Sequence, residues 1–486
     1  MANAPRSDFP RRVYPLDARQ LTEEQIAVAF AMTSRRPESF DAIAQQVTQE
    51  KAADFHERWV LGYGHASVAE HAVLHLAVEN ISRIACDTLE DNRLASYTEK
   101  SSRYQVFPEG YYHIPSELDH QPALNKIYRE TCDALFGDYQ RCIDGCVEHL
   151  RTQHPQRDNE RAGAYGLRLR RIATDSARLL LPAASLTNVG VTANARVLEH
   201  AISKLLSSDL EEERKLGEEL REQSQSITPT LIKYANEVPY LTQTSREQKE
   251  ISRNGEAEPP ASLAASLSKG SSPVRVRLVE WDEQAEEKLA AALVYRYSAH
   301  SYAQVWQQVL AMGAEERQGI IARCTASLGP HDAPVREFEL VGYTFEFSMD
   351  YGAYREFKRH RMMSYVPQPP TLAHGYRVPQ VIADAGLDEL FRGAMARVER
   401  AYDQVAATSP AAAQYLVTHA HYRRILARVN LRECYHLFKL RTSHLAHFSI
   451  REPMLEAMKL AVDTHPQLFR HLKLRDYPDW WPFPRD

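Results

Sequence analysis

Two short runs bring together side chains suited to gripping an anion: EKSSRY, from Glu99 to Tyr104, and RHRMMSY, from Arg359 to Tyr365. Serine hydroxyls, turn N–H groups and guanidinium forks all donate hydrogen bonds, and these strengthen when the acceptor is charged. Taken alone, EKSSRY also reads as a polar turn and RHRMMSY as a solvated basic stretch. A third run, GHASVAEH from Gly64 to His71, contributes His65, Ser67 and Glu70. His71, His75 and Glu79 recur every four residues, which on a helix is metal-ligand spacing. Leu74, Leu76 and Val78, however, alternate with His75, Ala77 and Glu79, which favours a strand. On a strand four residues span about 13 Å, too far to share one ion, so no metal is expected. The six cysteines (Cys86, Cys132, Cys142, Cys146, Cys324 and Cys434) form no CxxC pair and no disulfide-dense pattern, which fits a reducing cytoplasm.

The elements that carry these runs suggest a mixed α/β chain. Residues Asn236 to Pro273 are rich in Ser, Glu, Pro and Gly and read as an interdomain linker. The expected organisation is a domain over residues 1–240, a linker over 241–272 and a domain over 273–486. After the linker, VRVRLVEW alternates as a strand does, and DEQAEEKLAAALVYRYS reads as a helix with acidic residues in its first turn. Val341, Tyr343, Phe345, Phe347 and Met349 share one face of a half-buried strand, with Thr344, Glu346 and Ser348 on the other. The long segments Arg178 to Ser208 and Gln414 to Arg451 lack clusters of Pro and Gly and read as helices. His444 and His447 then read as helix-face residues.

Bulk properties exclude several classes of function. At 486 residues the chain is too long for one ordinary core. Its 44% hydrophobic and 25% charged residues are ordinary for a globular protein. No run approaches the ~20 apolar residues of a membrane helix, and the N-terminus lacks the apolar segment of a secretory signal. A cytoplasmic protein without membrane partners is expected. A net charge of −5 argues against a general nucleic-acid binder.

The motifs and their order resemble the flavin-dependent thymidylate synthases. In the first half GHASVAEH precedes ENISRIACDTLEDNRLASYTEKSSRY and then ARLLLPAASLTNVGVTANARVLEH. This matches the family's GHxSxxEH loop, its RHRxxSxxxxSxRY signature, and its ARxxLP segment with the NxR helix that follows. In the second half RHRMMSY and NLRECYHLFKLRTSHLAHFSI are similar to the RHR signature and to the NxR helix ending in Leu-Arg. The resemblance covers most of both halves and implies two diverged tandem copies, each a mainly antiparallel sheet with packed helices. The copies depart from the pattern in opposite places. The first has Asp91-Asn92-Arg93 for RHR and Lys204-Leu205 for Leu-Arg. The second has lost SxRY in VPQPPTLAHGYR and carries Gln414 where the first has Arg178.

This resemblance implies a flavin-dependent methyltransferase that converts dUMP to dTMP with FAD, methylenetetrahydrofolate and NADPH. The complementary losses imply a composite site. Glu99, Lys100, Ser101, Ser102, Arg103 and Arg178 would hold the nucleotide, with Ser101 and Arg441 at the reacting groups and Arg441 stabilising charge on the pyrimidine. The flavin would fall to His65, Ser67, Glu70, Arg359, His360, Arg361, Asn430 and Arg432. The loop counterpart in the second half, GPHDAPVRE, keeps His331 but has Arg336 for the glutamate. If the family's tetramer persists, two chains would form a homodimer with four copies of the domain. Two alternatives remain open: one-carbon transfer to another pyrimidine nucleotide, or a non-catalytic nucleotide- or flavin-binding paralogue.

Overall fold

Alternating apolar residues build the centre of each of two sheets. The computed structural model describes residues 12, 14–16, 19–34, 36–62, 66–254 and 275–485; His65 and residues 255–274 lie outside them. Two compact units emerge, one of residues 1–81, 85–100 and 187–255, the other of residues 82–84, 101–186 and 256–486. These units do not follow the halves of the sequence, because residues 101–186 lie with the second half. Part of the stretch read as linker, Pro239–Asn254, is a helix.

The first unit holds a sheet of β1 (Val73–Ser82), β2 (Ala95–Glu99) and β3 (Leu186–Asn194), in the order β1-β3-β2. Leu74 and Val78 of β1 and Val189, Val191 and Ala193 of β3 point into one core, closed by Leu198, Ile202 and Leu205 of the helix Ala195–Leu206. Asn194 caps that helix, its side chain accepting from Val197 N–H. The second unit holds β4 (Val276–Trp281), β5 (Gly342–Asp350), β6 (Ser364–Pro367) and β7 (Tyr422–Asn430), in the order β4-β5-β7-β6. Tyr343, Phe345, Phe347 and Met349 are buried on β5. As β3 does for its helix, β7 leads into the helix Leu431–Arg441, capped by Asn430. Both sheets are antiparallel.

The internal architectures repeat. Omitting β4, the order β5-β7-β6 reproduces β1-β3-β2, and even the register is kept: Ser96 pairs with Thr192 in the first sheet and Ser364 with Arg428 at the matching position of the second. The reading of Arg178 to Ser208 and Gln414 to Arg451 as continuous helices is overturned. Each segment runs from a 3-10 turn into a central strand before its helix. The signal was the two-residue alternation of Val189, Val191 and Ala193 and of Ile425, Ala427 and Val429, which absence of Pro and Gly clusters does not detect.

Within the second unit the equivalent turns of the two copies pair with each other. Ala183 N–H donates to Val417 O at 2.8 Å, Ala184 N–H to Tyr415 O at 2.9 Å and His419 N–H to Leu181 O at 2.9 Å. The long helix Pro122–Gln153 packs against Asp388–Ala406, and Asp138 of the first pairs with Arg397 of the second. Residues 101–186 are held in this unit by such contacts. Among the described residues all six cysteines are free, and no helix is long and apolar enough to cross a membrane.

One buried acid makes a test of the first unit. Glu213 is buried on the helix Glu211–Gln225 and accepts from Thr88 Oγ1 at 2.5 Å. Burial pushes its carboxyl up to about 7, from an ordinary value of 4.5. Between those values the folded protein holds a proton that the unfolded chain has released, so stability falls as pH rises through this window. Glu213→Gln is expected to remove up to about 3 kcal/mol of that fall. Urea denaturation of both proteins at pH 5 and pH 8 checks it.

Candidate functional site

The second unit gathers three arginines and two carboxylates from both copies. Arg103 follows the serine pair, and its backbone N–H donates to Ser101 Oγ at 3.2 Å in a local turn. Its guanidinium makes a two-pronged pair with Asp175, Nε to Oδ1 at 2.9 Å and Nη2 to Oδ2 at 3.0 Å. Burial works against the cation, but this pair outweighs it and raises the Arg103 pKa. Asp175 sits on the helix Ala162–Ala177, which ends at Arg178, itself only 5% exposed. Arg178 donates through Nη1 to Ser102 Oγ at 3.4 Å and through Nη2 to Glu356 Oε1 at 3.3 Å.

Glu356 joins the copies. It lies on the short helix Tyr351–Phe357, capped by Asp350, which accepts from Ala353 N–H at 2.8 Å. Tyr351 and Gly352 N–H groups donate to the carbonyls of His421 and His419, pinning the start of the helix. A Cβ at Gly352 would lie 3.2 Å from Asp350 Oδ1 and 3.5 Å from Leu179 Cδ2, so a side chain would press on both cap and neighbour. The other carboxylate oxygen of Glu356 accepts from Arg441 Nη1 at 3.3 Å. Burial disfavours the charge on Glu356, yet Arg178, Arg441 and Arg103 together hold its pKa below the usual range.

Arg441 is oriented from behind. Its Nε donates to His360 Nε2 at 3.0 Å, while His360 Nδ1 lies 2.8 Å from Glu433 Oε1. Because Nε of arginine only donates, His360 Nε2 must accept, so the ring proton sits on Nδ1 and points to Glu433. Burial is the main cause lowering the pKa of His360, which is therefore neutral near pH 7. Burial also lowers Arg441, with Arg359 and Arg103 adding repulsion against the pull of Glu356. His360, Glu433 and His436 place three donor atoms within 4.8 Å of one another, a geometry compatible with a metal. With its proton on Nδ1, however, His360 presents no lone pair to that centre.

The remaining residues singled out in the sequence fall in three places. Glu99 and Lys100 belong to the first unit, where Glu99 accepts from Thr187 Oγ1 at 3.2 Å and the Lys100 N–H donates to Asn188 O. Ser67 and Glu70 lie in the same unit, and Glu70 pairs with Arg196. In the second unit Arg359 is exposed and Arg361 keeps a buried Nη1 with no partner. Asn430 and Arg432 line a cavity of about 430 Å³ together with the run Pro330–Pro334, and its charged lining holds Lys439, Lys473 and Arg475 as well as Asp332, Glu339 and Glu433. Arg432 is held by Pro334 O at 2.7 Å and Glu339 at 2.8 Å. His360, by contrast, has both ring nitrogens engaged and serves to position Arg441.

Sequence reading missed Asp175, Glu356 and Glu433, because isolated acids on helices look like solvated faces. His447, read as a helix-face residue, instead caps the helix Phe448–Thr464. Its Nδ1 accepts from Ser449 N–H at 3.2 Å, so Nε2 donates to Asp175 O at 3.0 Å.

Comparison with known proteins agrees with this doubled design. The chain belongs to the Thy1 family, described as thymidylate synthase complementing protein, whose model matches it twice, over residues 16–230 and 277–467. It is 32% identical to a UPF0159 protein of Chlamydia muridarum over 448 residues, covering 88% of this chain and 82% of that one. A UPF0159 protein of Thermoplasma acidophilum is 29% identical over 465 residues, covering 89% of this chain and 90% of its own length. A flavin-dependent thymidylate synthase of Clostridium tetani is 26% identical over 213 residues, which are 82% of that protein but 44% of this chain. The match to that relative thus spans less than half of this chain.

The buried relay behind Arg441 can be tested directly. Glu433→Ala leaves the His360 Nδ1–H without its acceptor. The expected loss is about 1–3 kcal/mol of unfolding free energy, the cost of an unsatisfied buried donor. Urea denaturation at pH 7 measures it.

Proposed function

We propose that the chain is a thymidylate synthase-type methyltransferase converting dUMP to dTMP at one composite site per chain, with FAD as cofactor, methylenetetrahydrofolate as one-carbon donor and NADPH as reductant. The convergence of Arg103 and Arg178 from the first copy with Arg441 from the second, in one unit, carries this reading. Spare guanidinium donors, including the unpartnered buried Nε of Arg178, suit a phosphate monoester. The cavity of about 430 Å³ lies within the range of roughly 300–1,000 Å³ usual for small-molecule sites. Its lining by Arg432, Lys439, Lys473 and Arg475 suits the anionic part of a flavin dinucleotide.

In this reading Arg103, Arg178 and the Ser101–Ser102 turn hold the phosphate. Arg441 donates to the pyrimidine oxygens and stabilises negative charge as C5 becomes nucleophilic. His360 keeps Arg441 in place without exchanging a proton, since its Nδ1–H is committed to Glu433. Bound FAD supplies the methylene relay and the hydride, so no protein nucleophile is required. A homodimer would bring four copies into one closed assembly. The capture of Arg178 and Arg441 by Glu356 favours a second reading, a nucleotide- or flavin-binding paralogue without turnover.

The purified protein, given FAD and desalted, is expected to keep a flavin spectrum and to oxidise NADPH in a dUMP-dependent way with formation of dTMP. Arg441→Ala and Arg103→Ala are each expected to lower that rate by about 100-fold or more. Flavin retention and dUMP binding without oxidation favour the paralogue. A protein that binds neither ligand overturns both readings.

A further inference from the structure

An arginine offers five N–H donors, and the two arginines that meet Glu356 use few of them well. Arg178 spends one on Ser102 at 3.4 Å and one on Glu356 at 3.3 Å, and its Nε is buried with no acceptor. With a side chain only 6% exposed, little water makes up the difference. Arg441 gives Nε to His360 at 3.0 Å but reaches Glu356 only through Nη1 at 3.3 Å. By comparison, Arg103 grips Asp175 through both prongs at 2.9 and 3.0 Å. Asp175 is thus a fixed partner, whereas Glu356 is shared, one oxygen to each arginine, at the long edge of hydrogen-bond range.

We propose that Glu356 is a stand-in anion, which neutralises Arg178 and Arg441 in the ligand-free chain and is displaced from at least one of them when a phosphate monoester binds. The proposal rests on these arginines being an anion site and adds what regulates access to it. Two desolvated guanidinium groups without a counter-charge would repel each other, so the empty site needs a carboxylate. A ligand must do better than that carboxylate to enter. A phosphate monoester does, because it carries close to two charges near neutral pH and more acceptor oxygens, whereas a small monoanion gains nothing by the exchange. Since Asp350 and Gly352 fix the start of the helix, release is a rotation of the Glu356 side chain.

The test is calorimetric titration of inorganic phosphate into the wild-type full chain, Glu356→Gln and Glu356→Asp, with thermal melts to show that each variant is folded. Glu356→Gln keeps the shape and removes the charge, and should bind phosphate about tenfold tighter or more, since a like charge roughly 4 Å from the incoming anion is removed. Glu356→Asp withdraws the charge by one methylene and should show a smaller gain; it carries the test if Glu356→Gln does not fold. Unchanged or weaker phosphate binding in the folded variants overturns the proposal, as does failure of every folded form to bind phosphate. Titration with dUMP separates the two levels. Phosphate binding that tightens in Glu356→Gln, in a protein blind to dUMP, keeps the stand-in role and removes the thymidylate synthase reading.

Discussion

A guanidinium group taken out of water needs an anion close by, and the arrangement of the second unit follows from that need. Three arginines approach one another there, two of them around a single carboxylate, and the nearest acids are Asp175 and Glu356. Each acid is held from behind: His447 reaches the Asp175 carbonyl, and the Asp350 cap sets the Glu356 helix. Burial pushes the Glu356 carboxyl up, and the surrounding arginines more than offset that and hold it below the usual range. The centre is therefore coupled, and no member of it can be altered without changing the charge state or orientation of another.

The same coupling accounts for how the two copies diverged. Where the second copy has Arg441, the first has Leu205, which is fully buried in the core of its own unit. Where the first copy has Arg178, the second has Gln414, which starts the equivalent 3-10 turn. Asparagine is kept in both copies, at Asn194 and Asn430, because both cap a helix that leaves a central strand. The capping asparagines are thus shared, while Arg178 and Arg441, the two arginines that meet Glu356, each survive in one copy only.

Much of this was legible in the residues and some was not. The duplication, the strand at Val341–Met349 and the strand and helix after the linker follow from periodicity and motif order, both of which survive divergence. The central strands β3 and β7 lie inside long segments whose lack of Pro and Gly clusters is equally compatible with helix, so only their short two-residue alternation marks them. Arg103, Arg178 and Arg441 stand out as motif residues, but their partners do not, since a glutamate three residues before Arg359 carries no mark of burial. The compact units were equally hidden, because the placement of residues 101–186 depends on pairings such as Ala183 with Val417, which join positions more than two hundred residues apart.

The pairing of the equivalent turns, residues 181–184 against 415–419, has a consequence for concentration. Between separate polypeptides such an association would weaken on dilution and would admit any copy as partner. Within one polypeptide it is a loop closure, whose entropic cost grows only slowly with chain length, and the tether sets a local concentration independent of how much protein is present. The paired turns also always meet in the same hetero-combination. A residue lost from one copy is lost from a known side of the contact, which is the condition under which asymmetry can accumulate without scrambling the centre it serves.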